Sequence, residues 1–282
     1  MKKFLLILVM ILTVQSCAQA GVFAGKKEMK VYYREVKGVI ESQLKYTNEY
    51  NLDGLSKLYS PLFINTDGLD KETYFKLIKD TWSTYPNISY TTQIKNIYLN
   101  EKYAKVEVWE TATGIAVFDT VPGELLSASS SIYYMEKKHD GWLITAEQII
   151  DEKSIIRYGN TRFINMDLSV PSIAASGTYY TAALKVDAPP DIAVIASIGN
   201  SKIIYPQVKP EDVFRNLPED NVLERILLSN KDNTNEYAFA SVAIAKPEAY
   251  DKSKMAVDGL AFIMTRINVI PENKFMEKDD VK

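Results

Sequence analysis

The sequence predicts an α+β fold in two parts, and three observations lead to this prediction. Apolar residues recur at helical spacing between residues 29 and 85, and they alternate as in strands from Ile88 to Ile150. Beyond residues 157–162, further alternating runs predict a second, β-rich α+β domain. The chain of 282 residues is 46% hydrophobic and 24% charged, a globular balance with room for two domains.

Three helical segments are predicted to open the first domain, which we place at residues 29–155. Helical spacing of apolar residues between positions 29 and 50 indicates an amphipathic helix. A short helical turn around Leu55 is expected to end at Pro61. Asp70 is well placed to cap a third helix that runs from Lys71 to about Tyr85.

Four strands are predicted next. They begin at Ile88, at Tyr103, at about Leu126 and at Trp142. A loop is expected at residues 119–123, because proline and glycine interrupt a strand ladder. The second domain, placed at residues 163–272, is predicted to contain mostly strands and one helix over residues 219–229.

Two carboxylates on the second strand are candidates for acid–base chemistry. Glu107 and Glu110 are separated by an odd number of residues, so their side chains should point to opposite faces of the sheet. We therefore expect each of them at a solvent-facing or edge position, and we do not expect a catalytic pair.

A hairpin from Tyr133 to Ile144, with an Asp-Gly turn followed by Trp-Leu-Ile, comes after the three helical segments. This arrangement resembles the NTF2-like superfamily, also called SnoaL-like, over residues 29–155. The resemblance implies a curved antiparallel sheet that wraps the helices in a cone and leaves a pocket at its open end. The superfamily includes isomerases and cyclases as well as binding modules without activity.

The resemblance directs attention to residues that could line such a pocket. On the fourth strand we expect one face to point inward, with residues Trp142, Ile144, Ala146 and Gln148. Aromatic surface with a few polar groups is typical of ligand sites, and the candidate ligand-binding residues are Tyr90, Trp109, Tyr134 and Gln148. Ordinary core packing explains the same side chains as an alternative.

The composition argues against several classes of function. The single histidine, His139, falls in the hairpin turn, where it lacks the placement of a general base. One histidine and one cysteine cannot form the usual zinc site, and no phosphate loop or nucleophile elbow is present, so no metal and no cofactor are expected. A net charge of -3 gives no basic surface for nucleic acid.

The N-terminal residues 1–20 predict export. Lys2 and Lys3 precede an apolar run that is too short to cross a bilayer as a helix, as in a signal peptide. The segment Val14-Gln15-Ser16-Cys17 resembles a bacterial lipobox, so Cys17 is the candidate lipidation site of a periplasmic or outer-membrane-anchored lipoprotein. A second cleavage pattern at Ala18-Gln19-Ala20 leaves secretion without lipid open.

Together these observations favour a non-catalytic exported binding or scaffold protein of the bacterial envelope, attached to the membrane by lipid alone. The expected partners are a small apolar ligand, an envelope protein or a second copy of the chain. The alternative is a cofactor-independent enzyme of the isomerase or hydrolase type. That alternative requires a pocket tyrosine or carboxylate with a perturbed pKa.

Overall fold

The computed structural model describes residues 28–118, 120–247 and 255–272, so the predicted signal segment and Cys17 lie outside the described residues. Three α-helices are present in this part of the chain, at residues 28–48 (α1), Leu52–Ser56 (α2) and Lys71–Thr84 (α3). Within the described residues, no helix combines the length and the apolar character needed to cross a membrane.

Strands make up most of the described structure. Their bounds are Tyr59–Asn65 (β1), Ser89–Leu99 (β2), Tyr103–Phe118 (β3), Val121–Lys138 (β4), Gly141–Gly159 (β5), Met166–Ser169 (β6), Ile173–Ala175 (β7), Tyr179–Val186 (β8), Ala193–Lys202 (β9), Arg215–Asn216 (β10), Val222–Leu228 (β11), Glu236–Pro247 (β12) and Met255–Ile270 (β13). A short 3-10 helix, Asn160–Phe163, follows β5.

Ten of these strands form one sheet. Its order is β10-β9-β12-β13-β5-β4-β3-β2, with β1 paired to β5 and β7 paired to β13 in parallel. The strands β11, β8 and β6 form a second, antiparallel sheet. Strand β5 pairs with β4 and, over Lys153–Gly159, also with β13. The large sheet thus continues through the predicted boundary, and the division into two domains stays a prediction.

Each half of the chain has its own apolar core. In the first half, α1 and α3 contribute Val36, Ile40 and Phe75, which pack with Val106 and Met135 of the sheet. The second core lies between the two sheets, and its members include Leu168, Leu184, Ala240, Val242 and Ile263. These strand residues recur at every second position, as expected when one face of a strand is buried.

The third helix matches its prediction. The side chain of Asp70 accepts a hydrogen bond from the backbone N–H of Thr73 at 2.9 Å, and helix α3 begins at Lys71 and ends at Thr84. This contact satisfies one of the backbone donors that a helix leaves free at its first turn. The predicted short helical turn is present as α2, but Tyr59 and Pro61 belong to strand β1.

The predicted helix over residues 219–229 is wrong. Val222–Leu228 forms strand β11, and all seven of its residues pair with β8. Among the described residues the second half contains no α-helix, so the α+β description applies to the first half and the remainder is β structure.

The predicted loop at residues 119–123 is shorter than expected, because β4 begins at Val121. Pro122 and Gly123 pair with Val117 and Ala116 within the ladder. Gly123 lies under the ring of Tyr158, where an added Cβ would stand 2.4 Å from a ring carbon. Glycine therefore permits a close approach between adjacent strands.

Candidate functional site

A cavity of about 640 Å³ lies between the helices and the large sheet. Its walls come from α1, β1, α3 and strands β2 to β5. The second half of the chain closes it with residues 203–207, Tyr237 and Met264. This volume falls within the range of roughly 300–1,000 Å³ that is usual for small-molecule sites.

A β-bulge in β5 determines which of its side chains reach the cavity. Ile144 pairs with Met135 of β4, whereas Ala146 pairs with Tyr134, so Thr145 is an extra residue without a partner on β4. An extra residue shifts the alternation of side chains by one position.

Beyond the bulge, Glu147 and Ile149 line the cavity. Gln148 lies on the opposite face, where its side-chain oxygen accepts a hydrogen bond from the Tyr134 hydroxyl at 2.9 Å. The prediction that the inward face continues from Ile144 to Ala146 and Gln148 is therefore wrong.

The structure does not bring the four predicted ligand-binding residues together. Tyr90 lines the cavity. Trp109 and Tyr134 are each 38% exposed and, with Gln148, lie outside the cavity lining. The prediction required all four side chains to line one pocket. Of the four, only Tyr90 lines the cavity.

Glu110 lines the cavity, although the sequence predicted that it lies at a solvent-facing or edge position. Its carboxylate accepts hydrogen bonds from the Tyr133 hydroxyl at 3.1 Å and from the Thr92 hydroxyl at 3.2 Å. Glu107 faces the other way and bonds to Lys105 and to Asn96, both at 2.7 Å. The two carboxylates do lie on opposite faces, as predicted, but the expected solvent-facing position is wrong for Glu110.

Hydrogen bonds connect Glu110 to helix α1. The side-chain amide nitrogen of Gln43 on α1 donates to the hydroxyls of Tyr59 at 2.8 Å and Tyr133 at 2.9 Å. Gln43, Tyr59 and Tyr133 are all buried. Because Tyr133 in turn donates to Glu110, an unbroken chain of polar groups leads from β1 to the carboxylate on β3.

The second cavity carboxylate, Glu147, is 6% exposed. It forms a side-chain hydrogen bond with Tyr74, which also interacts with Tyr59. The Oε2 atom of Glu147 and the Oε1 atom of Gln43 are buried and have no hydrogen-bond partner among the described residues. The cavity wall therefore contains two side-chain oxygen atoms that the described residues leave unpaired.

The pKa values of both cavity glutamates are raised. Burial is the main cause for Glu147, followed by repulsion from Glu110, and together they raise its pKa from 4.5 to about 8. Burial also raises the pKa of Glu110, but the hydrogen bonds from Tyr133 and Thr92 oppose this shift. At neutral pH Glu147 is therefore mainly protonated, whereas Glu110 has two donors that stabilise its ionised form.

A second polar group borders the same cavity. The Tyr237 hydroxyl donates to Glu152 at 2.6 Å, and Asp67 pairs with the buried guanidinium of Arg266. Burial raises the pKa of Glu152, although the bond from Tyr237 and the charge of Arg266 act in the opposite direction. Residues from both halves of the chain thus meet at one end of the cavity.

The remaining candidates for chemistry lie elsewhere. His139 is fully exposed in the hairpin turn beside Asp140, in keeping with its predicted position. Within the described ranges, no group of three or more His, Cys, Asp or Glu side chains is arranged to hold a metal ion.

Comparisons with known proteins give a fold likeness for part of the chain. No family model matches it, and no curated protein matches it. A conserved protein from Planctomyces limnophilus is 16% identical, with a TM-score of 0.36, over 41% of this chain and 92% of its own length.

Two further solved structures are similar over a comparable share of the chain. A ketosteroid isomerase-like protein from Erwinia carotovora is 12% identical (TM-score 0.34; 41% of this chain, 92% of that chain). The hexachlorocyclohexane dehydrochlorinase LinA-type3 from Novosphingobium barchaimii is 11% identical (TM-score 0.37; 44% and 88%). Both are proteins of the NTF2-like fold. With TM-scores below 0.5, these likenesses assign neither a family nor an activity to this chain.

Sequence reasoning missed Glu110 and Glu147 for different reasons. Glu110 follows the buried residues Val106 and Val108 at two-residue steps, so the period of the strand contains the signal that it faces inward. Glu147 becomes an inward residue only through the bulge at Thr145, and nothing in the residue types around it marks that insertion.

Proposed function

We propose that this protein is a cofactor-independent enzyme that transfers a proton on a small, largely apolar molecule held in the cavity. The observation that carries the proposal is the presence of two glutamates in different environments within one cavity, Glu147 buried and Glu110 half-buried. Such pairs separate the roles of acid and base, because each environment favours a different protonation state.

The hydrogen bonds suggest which glutamate has which role. Glu110 accepts bonds from Tyr133 and Thr92, which favour its ionised form, so it is the proposed base. Glu147 holds its proton up to about pH 8 and is the proposed acid. A proton taken from carbon by Glu110 and a proton returned elsewhere by Glu147 give a net isomerisation, with no change in composition of the substrate. Proton exchange with water then returns Glu110 to its ionised form and Glu147 to its protonated form.

Binding without catalysis is the second candidate. It is favoured by the tyrosine-rich wall, which includes Tyr59, Tyr74, Tyr90, Tyr133 and Tyr237 and offers aromatic contact surface to any small apolar molecule. This candidate does not use the raised pKa of Glu147. The proposals of export and of lipid attachment at Cys17 rest on the N-terminal sequence and accompany either function.

Exchange of hydrogen between substrate and solvent tests the enzymatic proposal. We would incubate the full-length protein in deuterated water with a library of small carbonyl compounds, with and without an amino group, and measure deuterium uptake by mass spectrometry. We expect protein-dependent uptake at an acidic carbon of at least one compound, since a base that removes a carbon-bound proton exchanges it with solvent.

Two matched variants complete the experiment. Glu110→Gln should reduce the exchange rate by at least about a hundredfold, the usual contribution of a positioned base. Glu107→Gln alters a carboxylate three positions away on the outer face of the same strand and should leave the rate unchanged. Equal exchange by wild type and Glu110→Gln, or the absence of protein-dependent exchange across the library, would refute proton transfer.

A further inference from the structure

In the described part of the chain, the charged side chains that line the cavity are all acidic. Five carboxylate side chains contribute to the lining, and among the described lining residues none is Lys, Arg or His. One of these acids, Asp67, pairs with a cation, Arg266, whereas Asp80 accepts from the neutral Tyr205 hydroxyl. The other three, Glu110, Glu147 and Glu152, face the cavity with no cationic partner within hydrogen-bonding distance among the described residues.

Two cations near the cavity, Arg266 and Lys71, are already engaged. Arg266 forms two hydrogen bonds to Asp67 at 2.5 and 3.0 Å and one to Asn268 at 2.9 Å. The ammonium group of Lys71 donates to the backbone carbonyls of Ser56 and Tyr59, both at 2.8 Å. An anionic ligand would therefore meet repulsion from the carboxylates, and neither Arg266 nor Lys71 is free to offset it.

An independent observation concerns hydrogen-bond acceptors. Gln43 is 7% exposed and Glu147 is 6% exposed, and each has one side-chain oxygen with no hydrogen-bond partner in the described part of the chain. Both residues line the cavity, and Gln43 carries no charge, so its free oxygen is not a consequence of the acidic cluster. A buried acceptor without a donor is unfavourable, and a ligand that supplies donors removes this penalty.

The aromatic lining favours the same ligand. Tyrosine rings attract cations through their π faces, and the effect increases where water is excluded. A protonated primary amine combines a positive charge with three N–H donors. It therefore matches the carboxylates, the unpaired oxygens and the aromatic rings at once.

We propose that the substrate of the cavity is an organic amine whose ammonium group binds at Gln43 and Glu147 while its apolar part packs on the tyrosines. This inference rests on the proposed function, because it names the substrate class of the same cavity. It excludes carboxylates and phosphates as substrates.

Binding of a cation should be linked to pH through the groups around Glu147. These groups come from several elements, namely Glu110 on β3, Tyr133 on β4, Tyr59 on β1, Tyr74 on α3, Asp67 in the loop after β1 and Glu152 further along β5. All of them are acids or phenols, so none opposes an incoming positive charge. An ammonium group at Glu147 lowers the pKa of this carboxyl and causes it to release its proton, so in the amine complex the ammonium N–H replaces the Glu147 O–H as the proton donor.

Isothermal titration calorimetry of the full-length protein tests the inference with three probes of similar shape: 2-phenylethylamine, 2-phenylethanol and phenylacetate. We expect the amine to bind at least about tenfold more tightly than the alcohol, and phenylacetate not to bind. The affinity for the amine should increase by up to about tenfold per pH unit between about pH 6 and about pH 8, with proton release detected by comparing two buffers.

The Glu147→Gln variant should lose the pH dependence and most of the preference for the amine, whereas Glu107→Gln should behave as wild type. Equal or tighter binding of the alcohol or of phenylacetate, or no binding of the amine at millimolar concentration, would overturn the inference. If the amine binds selectively but no deuterium exchange occurs, the proposed proton transfer is refuted and the amine site is not. If exchange occurs only with neutral compounds, the amine is refuted as substrate and proton transfer is not.

Discussion

Arg266 on β13 and Asp67 in the loop after β1 form a bidentate ion pair, although 199 positions separate them in the chain. The two side chains are 0% and 4% exposed. Asn235 of the second half also donates to Asp67, at 2.9 Å. This pair fixes the loop that follows β1 to strand β13, which lies between β12 and β5 in the sheet.

Replacement of Arg266 by methionine should lower the free energy of unfolding by about 3–5 kcal/mol, because the charge of Asp67 would remain buried without its partner. Urea denaturation measures the change. Lys185→Met provides the control, since its pair with Asp187 is exposed and should contribute less than about 1 kcal/mol. If the two variants lost similar amounts of unfolding free energy, the buried ion pair would contribute no more to stability than the exposed one.

The raised pKa of Glu147 should make stability depend on pH. The unfolded chain releases this proton near pH 4.5, whereas the folded protein retains it up to about pH 8. The unfolded state therefore binds fewer protons in this window, and the free energy of unfolding should fall as pH rises through it, by on the order of a few kcal/mol.

Glu147→Gln should flatten this decline, so that the variant is more stable than wild type at about pH 8. Part of the decline will remain, because the pKa of Glu110 and that of Glu152 are raised as well. Denaturation at a series of pH values, with the exposed Glu219→Gln as control, provides the measurement. A variant with the same pH profile as wild type would contradict a raised pKa at Glu147.

Two adjacent tyrosines on β4 offer a comparison of the two faces of the sheet. Tyr133→Phe removes the donor to Glu110 and an acceptor for Gln43, so we expect a loss of about 1–2 kcal/mol and a further rise in the pKa of Glu110. Tyr134→Phe removes only an exposed bond to Gln148 and should change stability by less than about 0.5 kcal/mol.

Denaturation and carbon-13 NMR titration of the glutamate carboxyls would measure both effects. If the Glu110 titration is unchanged in Tyr133→Phe, the hydroxyl does not stabilise the carboxylate, and the proposed roles of the two glutamates have to be revised.

Two glycines should respond to alanine with opposite signs. Gly159 ends β5 with φ of 60°, and an added Cβ would stand 2.5 Å from the backbone oxygen of Asp258, so Gly159→Ala should destabilise by about 2 kcal/mol or more. Gly38 lies within α1 with no atom within 4 Å of an added Cβ. Gly38→Ala should stabilise by about 0.5–1 kcal/mol. Thermal unfolding of both variants tests this prediction. A change of the unfolding temperature in the same direction for both would contradict it.

Local signals allowed much of the first half to be predicted. The cap at Asp70, the apolar spacing of α1 and the alternation in β2 to β5 depend on residues close to one another in the chain. The helix predicted at residues 219–229 failed for the opposite reason. Val222, Leu223, Ile226 and Leu227 fit a helical face, but their pairing partners lie on β8, about forty residues earlier.

The candidate site was harder to predict than the fold. Glu110 could have been placed from the period of its own strand, whereas Glu147 depends on one inserted residue whose effect is visible only in the pairing of β4 with β5. The contribution of Tyr237 and residues 203–207 to the cavity depends on contacts between distant parts of the chain, which periodicity does not report.

The shared position of β5 has a consequence for the order in which the chain folds. One edge of β5 pairs with β4, the strand that precedes it in the chain. The other edge of Lys153–Gly159 pairs only with Gly259–Thr265 of β13, which is synthesised much later. During synthesis this edge stays open while about a hundred residues are added, and pairings of such separation form slowly. An open edge is a template for aggregation, so a chain interrupted before β13 should self-associate.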